Sequence, residues 1–538
     1  MMPPADTTNL GYAYQLPSGG LSVKIRNVLS QFSDIFSEFD KYIAPAYHHD
    51  RCERSVQMRL YSMHKREFVL IFVLFFVCLG FTIFIGLAGP PITQTTSIDG
   101  ISLLPKLNNS NMVSRKDIAT GPFIMKTPKL STYNQQMWLI AKLKTENTGE
   151  TIDKEFDICL TISGLTEEHK PATILTDRDH KNRSRHLHCD KQLCDEFIVM
   201  HLGYLDYTHY IINVIFYDLE AFHSRYNIKE LTFYFKTYNP DFTQIEVWFR
   251  LIFLVGAFSI TWWYYHTLKK YPVHCWAFEQ KWVGVLLPLL MTFNNPIFPM
   301  IFLVSSWLPG MLDAIFQATF LAVLFLFWLS IYHGLRQNER YFHTFYFPKF
   351  FIVSMMYFPT LILSTWQKIS ELRDPGYDHT TEANFYVVKA FFYIFGVVYL
   401  IYLGYLILKA YSELRSMPFF GVRLKFLTLL MIVVLTIGGI ITASKFGVDV
   451  LEDNFVAQLG THYTNSSQFM SFYGLLNIYV YTMAYVYSPS NKNGHDLGIT
   501  KDNPAFSMIN DSDEDVIYGS DEESRRPLNR GHNDDDSD

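Results

Sequence analysis

The sequence predicts a membrane all-α bundle, one N-terminal signal-anchor helix plus a receptor-like seven-helix bundle, with an all-β lumenal sandwich inserted after the first helix. Three observations carry that reading. Eight stretches of 17 or more residues lack any formal charge. A polar insertion of 157 residues, Pro90 to Glu246, follows the first of them. Within the insertion the apolar residues recur with period two, the spacing of a half-buried strand.

The uncharged stretches are Phe68 to Gly89, Leu251 to Leu268, Val283 to Val304, Ala314 to Tyr332, Phe350 to Trp366, Ala390 to Leu408, Phe426 to Ser444 and Phe469 to Tyr487. At about 1.5 Å per residue most can cross roughly 30 Å of hydrocarbon. A soluble helix would show charges every few residues on its wet face, and these do not. The third stretch contains Pro288, Pro296 and Pro299, which neighbouring helices can accommodate in lipid. Only 18% of the 538 residues are charged, against roughly 25% in soluble domains, so the lipid bilayer is the first predicted partner.

Taken in order, the chain divides into a cytosolic N-terminal segment (1–67) and a first transmembrane helix (68–89). A lumenal linker (90–129) and the sandwich (130–246) come next, followed by the seven-transmembrane bundle (247–488) and a disordered acidic cytosolic tail (489–538). Residues 21–42 place Val23, Val28, Leu29, Phe32, Ile35 and Phe39 at moderately helical spacing. That suits a short helix on the cytosolic face, with a membrane-surface or partner-binding helix as the alternative. No short apolar leader precedes the first span, which is therefore expected to act as an uncleaved signal anchor.

The linker is rich in Pro, Asn, Ser and Thr. Strand-like runs then follow at Met137 to Lys144, Phe156 to Ser163, Glu196 to Leu205, Tyr210 to Tyr217 and Leu231 to Tyr238, arguing for an antiparallel sandwich. Lys and Arg concentrate in the loops placed inside, among them Lys269, Lys270, Arg336, Arg340, Arg415 and Arg423, and in the segment before the first span. Eight crossings with this bias put both termini in the cytosol. The sequons at Asn108, Asn182 and Asn465 then all fall in the lumen and are candidate glycosylation sites. Cys189 and Cys194 are candidates for a disulfide in that oxidising compartment, with other pairings to Cys159 left open. His186 and His188 beside them invite a zinc reading, set aside because the spacing is unusual for a zinc site.

The net charge of −6 hides an uneven distribution, since Pro489 to Asp538 hold 13 acidic and 5 basic residues. Nothing resembles a basic nucleic-acid surface. In the tail, Asn503 and Pro504 preset a turn ahead of Phe506, the physical form of a ligand for cytosolic sorting adaptors. Ser512 and Ser520, followed by acidic residues, suit an acidophilic kinase.

No catalytic, metal-binding or cofactor signature is present, and the uncharged stretches by definition hold no Asp or Glu, so an enzyme or a proton-coupled transporter is not expected. Polar residues in the stretches are few. Asn294, Asn295 and Asn477 call for interhelical hydrogen bonds by default, or else line a bundle cavity; proline beside the first two suggests a broken helix facing it. The signature triplets of rhodopsin-like receptors are missing, the third bundle helix ending Tyr332-His333-Gly334 and the last Tyr487-Ser488-Pro489.

Several longer motifs resemble one family. They include Tyr238-Asn239-Pro240-Asp241-Phe242, Ser306-Trp307-Leu308-Pro309-Gly310-Met311-Leu312-Asp313, Phe347-Pro348-Lys349-Phe350-Phe351, Ser471-Phe472-Tyr473-Gly474-Leu475-Leu476-Asn477 and the tail Asn503-Pro504-Ala505-Phe506. From about residue 57 to 521 the chain is similar to Wntless-like seven-transmembrane proteins with a lumenal GOLD domain. The resemblance implies a GOLD-like sandwich at about 130 to 240. It also implies kinship with proteins that escort a lipidated secreted protein through the Golgi, the acyl chain lying in a bundle cavity. The expected function is a trafficking receptor or chaperone of the Golgi, endosome and plasma membrane that binds a secreted or membrane protein cargo. The alternatives are an orphan signalling or cell-surface receptor, open to exploitation by a toxin, and a channel or lipid-transporting pore.

Overall fold

A computed structural model of the protein describes residues 56–104, 115–147, 149–165, 170–175, 183–334, 341–376, 383–414, 418–446 and 466–490. The amphipathic run at 21–42, Asn108, Asn182, Asn465 and all the tail residues singled out above (Asn503, Pro504, Phe506, Ser512, Ser520) lie outside the described residues.

The insertion folds as an antiparallel β-structure of ten strands in one connected sheet. They are β1 (Thr93–Asp99), β2 (Phe123–Lys126), β3 (Met137–Thr145), β4 (Thr151–Leu165), β5 (Pro171–Leu175), β6 (Arg183–Asp190), β7 (Leu193–Cys194), β8 (Phe197–Leu202), β9 (His209–Tyr217) and β10 (Ile228–Tyr238). The order runs β1-β10-β3-β7-β6-β4-β9-β2, with β5 added to β4 and β8 to β3. Alternation sets the faces: Tyr210, Ile212, Val214 and Phe216 of β9 point inward while their neighbours face out. They meet Phe123, Phe156, Phe197 and Phe233 in a core of packed rings, Phe216 lying 5.6 Å from Phe123 and 5.7 Å from Phe156. Cys189 and Cys194, directly opposed on β6 and β7, are joined as a disulfide.

Residues 90–129, expected as a linker, contribute β1, the short helix Arg115–Thr120 and β2. They escape a search for apolar alternation because β1 (Thr-Gln-Thr-Thr-Ser-Ile-Asp) is an edge strand with both faces largely in solvent. The sandwich also ends earlier than 246, because helix begins at Pro240.

Twelve helices occur among the described residues: α1 (Arg59–Ser62), α2 (Lys65–Ala88), α3 (Arg115–Thr120), α4 (Glu220–Tyr226), α5 (Pro240–Leu268), α6 (Phe278–Phe293), α7 (Met300–Leu303), α8 (Trp307–Gly334), α9 (Phe347–Arg373), α10 (Ala383–Leu414), α11 (Pro418–Phe446) and α12 (Ser466–Tyr487). Five segments among the described residues are long and apolar enough to cross a membrane: Arg66–Ala88, Pro240–Leu268, Trp307–Gly334, Phe342–Trp366 and Ala390–Ser412. The chain is thus a multi-pass membrane protein, with Lys425–Ile441 of α11 a shorter apolar helix.

The third uncharged stretch is not one helix. α6 starts earlier, at Phe278, and stops at Phe293; Asn295 takes a positive φ of 47° and the chain turns into α7. Pro296 and Pro299 explain the stop, since neither offers an N–H to continue the ladder.

α2 lies antiparallel along α12 at close range. A Cβ at Gly86 would come within 2.4 Å of the Ser467 Cα, and one at Gly474 within 2.7 Å of the Thr82 hydroxyl, so the contact requires glycine. At the other end of this pair the Arg59 N–H donates to the Ser488 carbonyl at 2.8 Å and the Ser490 N–H to Gln57 at 3.0 Å. The chain ahead of α2 and the chain after α12 therefore leave the bundle at the same end.

Candidate functional site

Among the described residues, one polar cluster lies in the helix bundle directly beneath the sandwich and another lies deeper. The first begins at a one-residue joint. β10 ends at Tyr238, Asn239 accepts a hydrogen bond from the Asp241 N–H at 3.0 Å as an N-cap, and Pro240 opens α5 with its φ already suited to a helix. The Asn239 N–H donates to Ile92, which pins the entry of β1 at the same point.

Nearly two turns into α5, Glu246 and Arg250 stand at i and i+4, the spacing of a helical ion pair. The Arg250 guanidinium donates to Glu246 Oε1 through Nε (3.1 Å) and Nη2 (2.9 Å), and through Nη1 to Asp313 Oδ1 of α8 at 3.3 Å. Asp313 also accepts from the Asn295 amide at 2.7 Å and from Gln317 at 2.8 Å. All five side chains are buried. The guanidinium lies over Phe298 at 4.0 Å and Tyr473 at 4.8 Å, a cation over ring faces.

The sandwich closes this cluster from above. Gln135 donates to Thr243 at 3.0 Å and to Glu246 Oε2 at 3.4 Å, while the Thr243 hydroxyl donates to the Tyr133 carbonyl. A second clamp lies at the α9–α10 connection. Arg183 of β6 grips Asp374 through two bonds, of 3.2 and 2.6 Å. Arg185 donates to the Gly376 carbonyl, and the Pro375 carbonyl accepts from the His201 N–H. The His201 ring stacks on Trp138 at 4.8 Å and meets the Gln136 side chain at 2.9 Å.

The deeper site is neutral. Asn294 and Asn477 exchange amide hydrogen bonds of 2.8 and 3.0 Å across α6 and α12. Asn477 donates in addition to the Tyr473 carbonyl, and Tyr481 donates to Phe253. Of the three asparagines proposed as cavity residues, two thus satisfy each other between helices. Asn295 turns instead to Asp313, because the break after Phe293 points the two adjacent amides apart.

The helices as folded correct one expectation. The uncharged windows begin at Leu251 and Ala314, but α5 and α8 extend beyond them, so Glu246, Arg250 and Asp313 are buried within the apolar helices. The signal was present as an i, i+4 pair abutting one window and an acid abutting another. Their chemistry is that of a fastener: fixed carboxylates and a guanidinium linking α5, α8, the turn after α6 and the sandwich. Among the described residues no group of three or more His, Cys, Asp or Glu is arranged to hold a metal ion. On the outer sandwich face the hydrogen bond from His188 Nδ1 to Asp153, 2.5 Å long, raises the imidazole above its ordinary value and lowers the carboxyl.

The comparisons with known proteins agree with this architecture. Residues 121–238 match the model described as TMEM181, GOLD domain, and residues 239–491 the model described as Wntless-like, transmembrane domain, so the boundary falls on the Asn239 joint. The chain is 48% identical over 477 residues to human Transmembrane protein 181, covering 88% of this chain and 96% of that one. It is 26% identical to Protein wntless of Drosophila ananassae over 56% of this chain and 58% of that protein. To the Protein wntless homolog of Gallus gallus it is 25% identical over 57% and 62%. The chain belongs to the Transmembrane protein 181 family of GOLD-domain, Wntless-like membrane proteins.

Proposed function

We propose that the protein is a trafficking receptor or chaperone that binds a secreted or membrane protein cargo through its lumenal sandwich and helix bundle, with sorting directed by its tail. The observation that carries the reading is the fastening of sandwich to bundle at two places, the Gln135–Glu246–Arg250–Asp313 cluster and the Arg183–Asp374 clamp. A cargo that touches the sandwich is thereby held in register with the helices. Family membership adds support, as wntless proteins share the same bundle type.

The tail supplies the second half of the proposal, with Asn503-Pro504-Ala505-Phe506 as the adaptor ligand and Ser512 and Ser520 as sites whose phosphorylation deepens its negative charge. Glycans on Asn108, Asn182 and Asn465 would mark the cargo-facing side. The test is proximity labelling from the lumenal face in cells expressing the intact chain or the Phe506→Ala variant. Secreted or membrane clients should be labelled by both, and the variant should accumulate at the cell surface. An absence of secretory-pathway clients removes the cargo role; an unchanged surface fraction removes the sorting role.

A further inference from the structure

A groove of about 620 Å³ runs along α2, lined by Phe68, Val69, Phe72, Val73, Phe76 and Val77. Phe426 of α11, itself buried, packs edge-on against two of these rings, Phe68 at 5.9 Å and Phe72 at 5.7 Å. The outer lining is open: Val69, Val73 and Val77 are each more than half exposed. On a soluble protein such a surface would drive association, but here it sits on a segment apolar enough to cross a bilayer, so the medium that reaches it is lipid. From Phe68 to Val77 the helix rises roughly 13 Å, close to the hydrocarbon depth of one leaflet, about half of 30 Å.

Charge at the mouth selects among lipids. Arg66 precedes Phe68 by two residues and Lys425 immediately precedes Phe426, and both side chains are exposed. Because Phe68 and Phe426 touch, the two helices bring these cations to the same end of the groove. The neighbouring acid, Glu67, accepts a hydrogen bond from the His64 N–H at 3.0 Å as part of the α2 cap. We propose that this groove is a binding site for an anionic glycerophospholipid, one acyl chain lying against Phe68, Phe72 and Val73 and the phosphate between Arg66 and Lys425. The end concerned is the one at which Arg59 meets Ser488. If that end is cytosolic, as the Lys/Arg bias predicts, it faces the leaflet in which anionic lipids concentrate.

The experiment uses the purified full chain in detergent, titrated with phosphatidylserine or with phosphatidylcholine of the same acyl composition. Native mass spectrometry counts bound lipids. The first lipid should bind with at least a tenfold preference for phosphatidylserine. Arg66→Ala and Lys425→Ala should each reduce that preference by about fivefold, the expectation for one cation at a charged lipid surface. Val73→Trp, at an exposed position where folding should not suffer, should fill the groove and weaken the first binding event for both lipids. Val77→Trp is the independent check on that arm. Equal binding of the two headgroups, or an unchanged preference in the double alanine variant, overturns the proposal. So does undiminished binding in both tryptophan variants, which would leave annular lipid only.

Discussion

The cluster under the sandwich and the amide pair below it solve the same problem at different depths. Both place buried polar groups among apolar helices. The upper one uses full charges, three of them, from two helices, and surrounds them with Asn295 of the turn after α6, Gln317 of α8 and a cap from the sandwich. The lower one uses two neutral amides that satisfy each other. The layer between them is aromatic: Tyr473 is 4.7 Å from Phe293 and 4.5 Å from Phe469, and Phe293 is 4.7 Å from Phe320. The difference teaches that this ion cluster sits where the sandwich and the α6 break supply donors for it, whereas the two amides complete each other with no outside help.

The sharpest way to break the comparison is Arg250→Met. It strands Glu246 and Asp313 in a buried site, which costs about 3–5 kcal/mol, and a large fall in the thermal midpoint of the detergent-solubilised protein is expected. Adding Glu246→Gln and Asp313→Asn should recover most of the loss, because no unpaired charge then remains. If the triple variant stays as unstable as the single one, the cluster stabilises by shape and not by charge pairing.

A smaller effect is expected from Asn477→Leu, which leaves the Asn294 amide without its partner at a cost of about 1–2 kcal/mol. The Asn294→Leu/Asn477→Leu double variant should lie above the single variant in the same assay. Equal loss in both variants would show that Asn477 acts through Tyr473 or Tyr481 and not through Asn294.

The smallest effect marks the solvated end of the scale. Asp153 and His188 form an ion pair with no shelter from water. His188 is raised and Asp153 lowered in the folded state, so the stabilisation is full below the unfolded imidazole value of about 6.5 and above the ordinary carboxylate range. It fades as pH rises through the elevated imidazole value. The difference in thermal midpoint between the protein and His188→Asn should therefore shrink as pH rises above about 6.5; a difference independent of pH would assign His188 a packing role only.

Much of the fold was legible because lipid and strand impose simple patterns. Five strands stand within a few residues of where alternation placed them, and the membrane helices follow the loss of charge. What escaped was whatever lacks a pattern of its own. β1 and β2 are recognisable as strands only through their partners β10 and β9, far along the chain. The interruption of α6 was visible as Pro296 and Pro299, but its end at Phe293 depends on the φ of Asn295. Glu246, Arg250 and Asp313 escaped because a window drawn to exclude charges stops where the charges begin. Asp374 and Arg183, 191 positions apart, carry no joint signature at all in one sequence.

The lone residue between β10 and α5 has a mechanical meaning. With Asn239 as the whole connection between them, tied on one side to Ile92 and on the other to Asp241, there is no slack in which the β-structure can swivel on α5. A twist or pull applied to the β-structure from outside is delivered straight to the axis of α5, as torque on a shaft and not as tension on a tether.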